Sequence, residues 1–196
     1  MKPLFPLFTL CLLLVAAPVA VAATWQIDPA HAGIEFKVRH LMVAWVKGSF
    51  ASVAGTVEID EADPAKSQVR VTIDSASINT NNAKRDEHLR SNDFLAAAEF
   101  PTITFVSRQI VTAGGTPRQV VGDLTIRGTT REVVLDLEEL TPPIRDPWGN
   151  TRRGATATTE INRRDFGLTW NKAMETGGLV VGDEVKIALD VELIRQ

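Results

Sequence analysis

The sequence predicts an all-β fold, an eight-stranded antiparallel barrel with one short helical insertion. Three observations carry that prediction: apolar and polar residues alternate with a period of two in segment after segment, turn-forming residues punctuate those segments, and only one stretch has helix-start signals. Eight half-buried strands with so few helices to cover a sheet close more readily as a barrel than they stack as a sandwich.

The chain opens on a segment that reads as an export signal. Met1-Lys2 is a basic start, residues 4–15 are apolar, and Ala20-Val21-Ala22 matches an A-x-A cleavage pattern. The apolar run is short for a bilayer span and Pro18 breaks it, so residues 1–22 are expected to be a cleaved signal peptide. Residues 23–196 then form one periplasmic domain. The single cysteine, Cys11, falls in the signal, which excludes disulfides, thiolate nucleophiles and Cys-type metal sites from the remainder. The whole chain has 21 Lys and Arg against 24 Asp and Glu, a net charge of −3, and loss of Lys2 makes it −4. That mild acidity argues against a nucleic-acid partner.

Along the chain, Ile34, Phe36 and Val38 alternate with Glu35, Lys37 and Arg39. The same split separates Val69, Val71 and Ile73 from Arg70, Thr72 and Asp74, and Val133, Leu135 and Leu137 from Glu132, Val134 and Asp136. It is cleanest in Val185, Ile187, Leu189, Val191 and Leu193 against Lys186, Ala188, Asp190 and Glu192. Further strands are expected over residues 48–60, 103–111, 120–127 and 154–162. Asp63-Pro64, Gly114-Gly115, Gly128-Thr129, Pro147-Trp148-Gly149-Asn150 and Gly177-Gly178 supply turns between them.

Residues 77–105 interrupt this pattern. Asn81 or Asn82 is expected to cap a short helix through Arg90, and Asn92 a second turn over residues 93–98, before Pro101 starts the next strand. Asp86 and Arg90 have the spacing of an exposed i,i+4 pair, while Arg85, His88 and Leu89 fall on another face.

A membrane barrel is apolar outside and polar within. Here the faces opposite the apolar ones carry too much charge to meet lipid, so the charge faces outward, the interior is apolar, and stable membrane insertion is not expected. Gly55, Gly122, Gly154, Ala155 and Ala157 fall where a packed core prefers large side chains, and are expected to leave a void for an apolar guest. The candidate lining residues are Ile34, Phe36, Val38 and His40 on the first strand, Phe50 on the second, and Ile73, Phe105, Leu124 and Ile126 on the next three. Leu135, Ala155 with Ala157, and Ile187 with Leu189 follow on the last three strands, and Leu89 and Phe94, with Leu95, are expected to close one side of the channel from the helical insertion. Trp45, in the apolar run Leu41-Met42-Val43-Ala44-Trp45-Val46, suits the lip of such a channel, while Trp148 and Trp170 read as loop anchors.

The residues supply no catalytic constellation. His31, His40 and His88 lie on three elements without metal-ligand spacing, and Asp86 and His88 diverge on a helix. No G-x-S-x-G elbow, H-E-x-x-H or phosphate-cradling loop is present, so no metal or cofactor is predicted. Arg85, Arg90, Arg152, Arg153, Arg163 and Arg164 read first as solvated surface; at a barrel mouth they would suit an acidic head group.

Together these residues resemble the YceI-like family of periplasmic, lipocalin-like proteins described as polyisoprenoid-binding. The landmarks are Trp25-Gln26-Ile27-Asp28 with His31, Phe36-Lys37-Val38-Arg39-His40-Leu41, Gly48-Ser49-Phe50 and Thr80-Asn81. Residues 85–95 from Arg85 to Leu95, residues 100–105, Gly122-Asp123-Leu124-Thr125-Ile126-Arg127-Gly128 and Ile161-Asn162-Arg163-Arg164-Asp165-Phe166-Gly167 complete the set. The resemblance implies an extended barrel holding a long isoprenoid or fatty chain, with no catalytic residue and no metal. Where it leads us to expect an aromatic in the seventh strand, this chain has Arg153-Gly154-Ala155, which widens the channel there if that position lines it. The expected function is an exported carrier of one long apolar chain, its polar head near the helical insertion and touched by Arg85 and His88. A stress-related structural or interaction barrel with a packed core, and an enzyme acting on a lipid head group through His88, Asp86 or His40, stand as alternatives. Self-association into a homodimer stays open.

Overall fold

Antiparallel strands close on themselves in the computed structural model, which describes residues 22–175 and 177–196; the expected signal peptide lies almost wholly outside the described residues. The strands are β1 (Ala23–His40), β2 (Ala44–Phe50), β3 (Val53–Ile59), β4 (Gln68–Asp74), β5 (Ile78–Asn79), β6 (Thr102–Ala113), β7 (Thr116–Ile126), β8 (Thr129–Leu140), β9 (Ile144–Arg145), β10 (Thr151–Asn162) and β11 (Val181–Arg195), with one α-helix, α1 (Ala83–Arg90). Around the barrel the order is β1-β3-β4-β6-β7-β8-β10-β11, and β11 pairs back with β1.

Eleven segments make eight staves because three staves are broken. β2 and β3 lie on the same edge of β1, β2 along residues 34–40 and β3 along residues 23–26. They are one stave interrupted at Ala51-Ser52, where the sequence predicts a continuous strand. β5 extends the β4 stave beside β2, and β9 extends the β8 stave beside β10. β1 itself bulges: between Ile27↔Leu193 and Ala32↔Val191 it takes five steps to two on β11, which pushes residues 28–31 out of the wall.

Alternation then sorts the side chains as the sequence predicts. Ile27, Ile34, Ile73, Ile103, Phe105, Leu124, Ile126 and Leu193 are buried inside, and the charged partners stand outside. At one end, the hairpin end, lie the β3–β4 turn, the β6–β7 hairpin and the β8–β10 connection. At the other, the helix end, lie the β1–β2 hairpin, α1 and the β10–β11 loop.

α1 forms where its cap allows. The Asn82 side chain accepts from the Arg85 N–H at 3.0 Å, so the second of the two candidate caps is used. The Asp86–Arg90 pair does not form: buried Asp86 accepts from the Thr80 N–H at 2.9 Å, and Arg90 donates to the Ala76 and Ile78 carbonyls at 2.6 and 2.7 Å. These bonds to the preceding strand satisfy groups that an exposed pair would leave without partners. Residues 93–98 are turns rather than a second helix, held from Ser91 instead of Asn92, with the Asp93 N–H reaching the Ser91 hydroxyl at 3.3 Å. Buried Phe94 and Leu95 follow at once, and their burial fixes the turn.

Candidate functional site

The barrel interior is not filled. A cavity of about 600 Å³ runs along it, within the size range of small-molecule sites. Val133, Leu135, Leu137, Ile187 and Leu189 point inward yet are only half-buried, because the space they face is empty of side chains. Apart from Trp45, every strand-borne apolar candidate from Ile34 to Leu189 borders this space, and so do Leu89 and Phe94 from the helical insertion. The sequence-derived set omits Ile27, Ile110, Val120 and Leu193, which also border it; their parity in the alternation was available to find them.

The void has a different origin from the one predicted. A side chain on Gly122 would meet the Phe105 ring at 2.6 Å, and one on Gly55 would meet Ile27 at 2.8 Å, so large neighbours already occupy those positions. Gly154 faces Thr141 on the outside. Ala155 and Ala157 alone among the five small residues line the cavity.

Four candidates do not border it. His40 follows the inward parity of β1 but lies beyond the last lining residue of that strand, Val38. Trp45 is on the outer face, opposite Arg39, whose guanidinium lies 4.2 Å from the ring centroid. Arg85 turns back to the Thr80 hydroxyl at 2.7 Å, and His88 binds Asp93 at 2.8 Å while packing edge-on to Phe94 and Trp170. The helix thus presents Leu89 to the cavity and keeps its polar face outside. Trp170 anchors its loop as expected; Trp148, at 80% exposure, anchors nothing.

The polar end of the cavity is the hairpin end, opposite to expectation. The lining residues exposed to solvent, Glu61, Gly115, Thr116, Arg118, Glu138 and Glu139, all sit there, whereas the helix end is covered by buried Phe94, Leu95 and Phe166. Within this rim Arg153 is buried to 7% exposure against Trp25, its guanidinium 5.4 Å from the ring. Its Nε donates to the Thr141 carbonyl at 3.0 Å and its Nη1 to Glu61 at 2.8 Å. Nη2 has no protein acceptor among the described residues and retains accessible surface. Inward-facing Ala155 and Ala157 fix the parity of β10, and that parity alone puts Arg153 inside, on the opposite side of the wall from its neighbour Arg152.

Most of that basic cluster is engaged rather than solvated. Arg152 donates to Asp28 at 2.6 Å, Asp146 at 2.7 Å and Glu192 at 3.0 Å. His31 joins Asp28 at 3.0 Å, so Asp28, His31 and Glu192 converge as a metal site would, but their carboxylates already face the Arg152 guanidinium. Hydrogen bonds from Arg152 and His31 hold the Asp28 carboxyl well below the usual carboxylate range. Burial works against ionisation of Asp146, yet bonds from Arg152, Asn150 and the Trp148 N–H hold it down at about 2. Both folded-state values lie below the unfolded value of about 3.9, so the stability they contribute is full above that pH and lost as pH falls through the folded values. The stability gap between the wild type and Arg152→Gln is therefore expected to be widest above about pH 4 and to narrow below it. Urea unfolding followed by circular dichroism at a series of pH values checks this; a gap independent of pH refutes the ion cluster as its source.

A family model described as a YceI-like domain matches residues 25–193. Protein YceI of Salmonella newport is 38% identical over 191 residues, covering 96% of each chain. Among solved structures, BcnA of Burkholderia cenocepacia superposes with a TM-score of 0.73 at 25% identity, over 85% of this chain and 98% of that one. A domain of Saccharophagus degradans described as polyisoprenoid binding superposes with a TM-score of 0.63 over 89% of this chain and 99% of that one; at 15% identity it shows the fold alone. The matched family model spans nearly all of the described barrel, and the curated relative spans the same length: the chain belongs to the YceI-like family.

Proposed function

We propose that this protein is an exported, non-catalytic carrier that holds one long isoprenoid or fatty chain in its barrel, with the signal peptide read at residues 1–22 directing it to the periplasm. The observation that carries this reading is the cavity of about 600 Å³, lined mostly by apolar side chains along its length, with its solvent-exposed polar lining residues gathered at the hairpin rim. The description of the Saccharophagus degradans neighbour as polyisoprenoid binding supports it. Each buried CH2 contributes about 0.8 kcal/mol, so ten carbons supply several kcal/mol even after ordering costs. Affinity then rises with chain length more than with head-group chemistry.

The head group belongs at the rim rather than at the helix. Arg153 offers Nη2 to an acceptor oxygen, while Glu61 already balances its charge. Arg153→Met is expected to weaken binding of an oxygen-headed chain by roughly tenfold, the loss of one charge-assisted hydrogen bond, and to leave a plain hydrocarbon of equal length unaffected. Native mass spectrometry of protein purified from its own host tests the carrier reading. The expected result is a lipid adduct; an apo mass that takes up no lipid on titration refutes it.

A further inference from the structure

At the helix end, one surface of the barrel is built in three successive bands. The outermost is the β1–β2 hairpin tip, where Leu41, Met42 and Val43 are 38%, 57% and 78% exposed. Leu41 and Met42 hold φ of 52° and 61°, left-handed values that a tight hairpin usually assigns to Asn and Gly and that cost a bulky residue energy. The Leu41 N–H donates to the Val180 carbonyl at 2.8 Å, which ties the tip to the neighbouring loop, where Leu179 is also exposed. A strained turn that serves only as a connection would carry polar residues here.

Behind the tip stands Trp45 on the outer face, with the Arg39 guanidinium 4.2 Å and the Lys37 ammonium 5.5 Å from its centroid. Behind that is a row of lysines on three adjacent strands, Lys47 opposite Lys37 and Lys37 opposite Lys186. Like charges directly opposite destabilise a sheet. Of the three, only Lys186 has a carboxylate partner among the described residues, Glu160 at 3.2 Å.

Apolar tip, interfacial tryptophan and cationic row follow the order of a lipid surface from acyl chains to phosphates. We propose that this end of the barrel docks reversibly on an anionic lipid surface, with Met42 and Val43 in the acyl boundary, Trp45 at the interface, and Lys37, Lys47 and Arg39 on the phosphates. Lys47 lies four positions beyond Val43, roughly 13 Å along the strand, and a lysine side chain reaching forward shortens that gap to about the depth of the headgroup layer. A second copy of the chain fits this patch less well, since self-complementary contact would bring two lysine rows together. Docked this way, the helix end, with Leu89 and Leu168 at the cavity wall, meets lipid and the polar rim faces water.

Co-sedimentation with phosphatidylcholine vesicles, with and without phosphatidylglycerol, tests the proposal on the full mature chain. Wild type is expected to bind only the anionic vesicles, with tryptophan quenching by brominated lipid that Trp45→Phe removes. The double variant Lys37→Gln with Lys47→Gln should weaken binding by roughly thirtyfold. Val43→Asp should weaken it by at least a factor of ten, with lipid uptake into the cavity unchanged in a vesicle-free assay. Equal binding to neutral and anionic vesicles, or tip variants that bind as wild type does, overturns the proposal. So does a change in sedimentation coefficient on Val43→Asp without a change in vesicle binding, which assigns the patch to a second copy.

Discussion

Replacing Ala157 by Phe is expected to divide the cavity and cut the affinity for long chains by roughly 100-fold. Ala157 sits at mid-barrel, paired with Leu137 on one side and Leu189 on the other, and its methyl group borders the empty space. A phenyl ring there blocks the path from the rim towards Leu89 and Phe94. Each CH2 excluded forfeits about 0.8 kcal/mol, so losing three or four gives that factor. Short chains that stop on the rim side of Ala157 should bind as before, whereas Ala155→Phe, nearer the rim, should weaken both. Stability separates this from a packed-core barrel: filling a true void is neutral or gains up to about 1 kcal/mol, but inserting the ring into a filled core costs about 1–3 kcal/mol. Titration with a chain-length series, together with urea unfolding, reads both quantities. Unchanged affinity across the series, or a destabilised variant, would falsify the open-channel reading.

The barrel was legible in the sequence because its rule is local. Alternation needs only neighbours along the chain, so the inward parity of Ile34, Phe36, Leu135, Ile187 and Leu189 could be read without knowing what they face. Ala155 and Ala157 were legible for the same reason. What escaped depended on contacts across the barrel. Gly55 and Gly122 read as missing volume along the chain, but Ile27 and Phe105 occupy it. Trp45 looked like a channel lip because its apolar neighbours hid its parity with Lys37 and Arg39. The sequence points the polar head toward the helical insertion, where charge is dense along residues 85–93, but that charge does not face the cavity. Asp86, Arg85 and Arg90 spend that charge on Thr80, Ala76 and Ile78. Arginines are ambiguous in sequence for a physical reason: a guanidinium can be fully solvated or can bind several carbonyls, and only the fold decides which.

Arg163 is the sharpest case, and Arg163→Met is the second large effect expected. Its side chain, read from sequence as part of a solvated patch, is 4% exposed. Nε donates to the Gly182 carbonyl at 2.9 Å, Nη1 to the carbonyls of Leu168 and Trp170, and Nη2 to Asp183 at 3.1 Å. One guanidinium therefore holds the loop after β10 against the start of β11, turning at Gly167, whose φ of 77° suits glycine. That loop carries Leu168 to the cavity wall and sets Trp170 against His88 and Phe94 at 4.9 and 5.2 Å. Methionine fills similar volume but leaves the carbonyls and Asp183 without their donor, a cost on the order of 3 kcal/mol. For a domain of this size that lowers the melting temperature by roughly 6–12 °C. Arg163→Lys, which keeps the charge but not the fork, should fall between the two. The part of the helix-end cover formed by the loop after β10 is held by this one side chain, so lipid dissociation from Arg163→Met should accelerate at temperatures where the barrel remains folded. A variant that melts early yet releases lipid at the wild-type rate would separate the loop from the cover and assign Arg163 to folding alone.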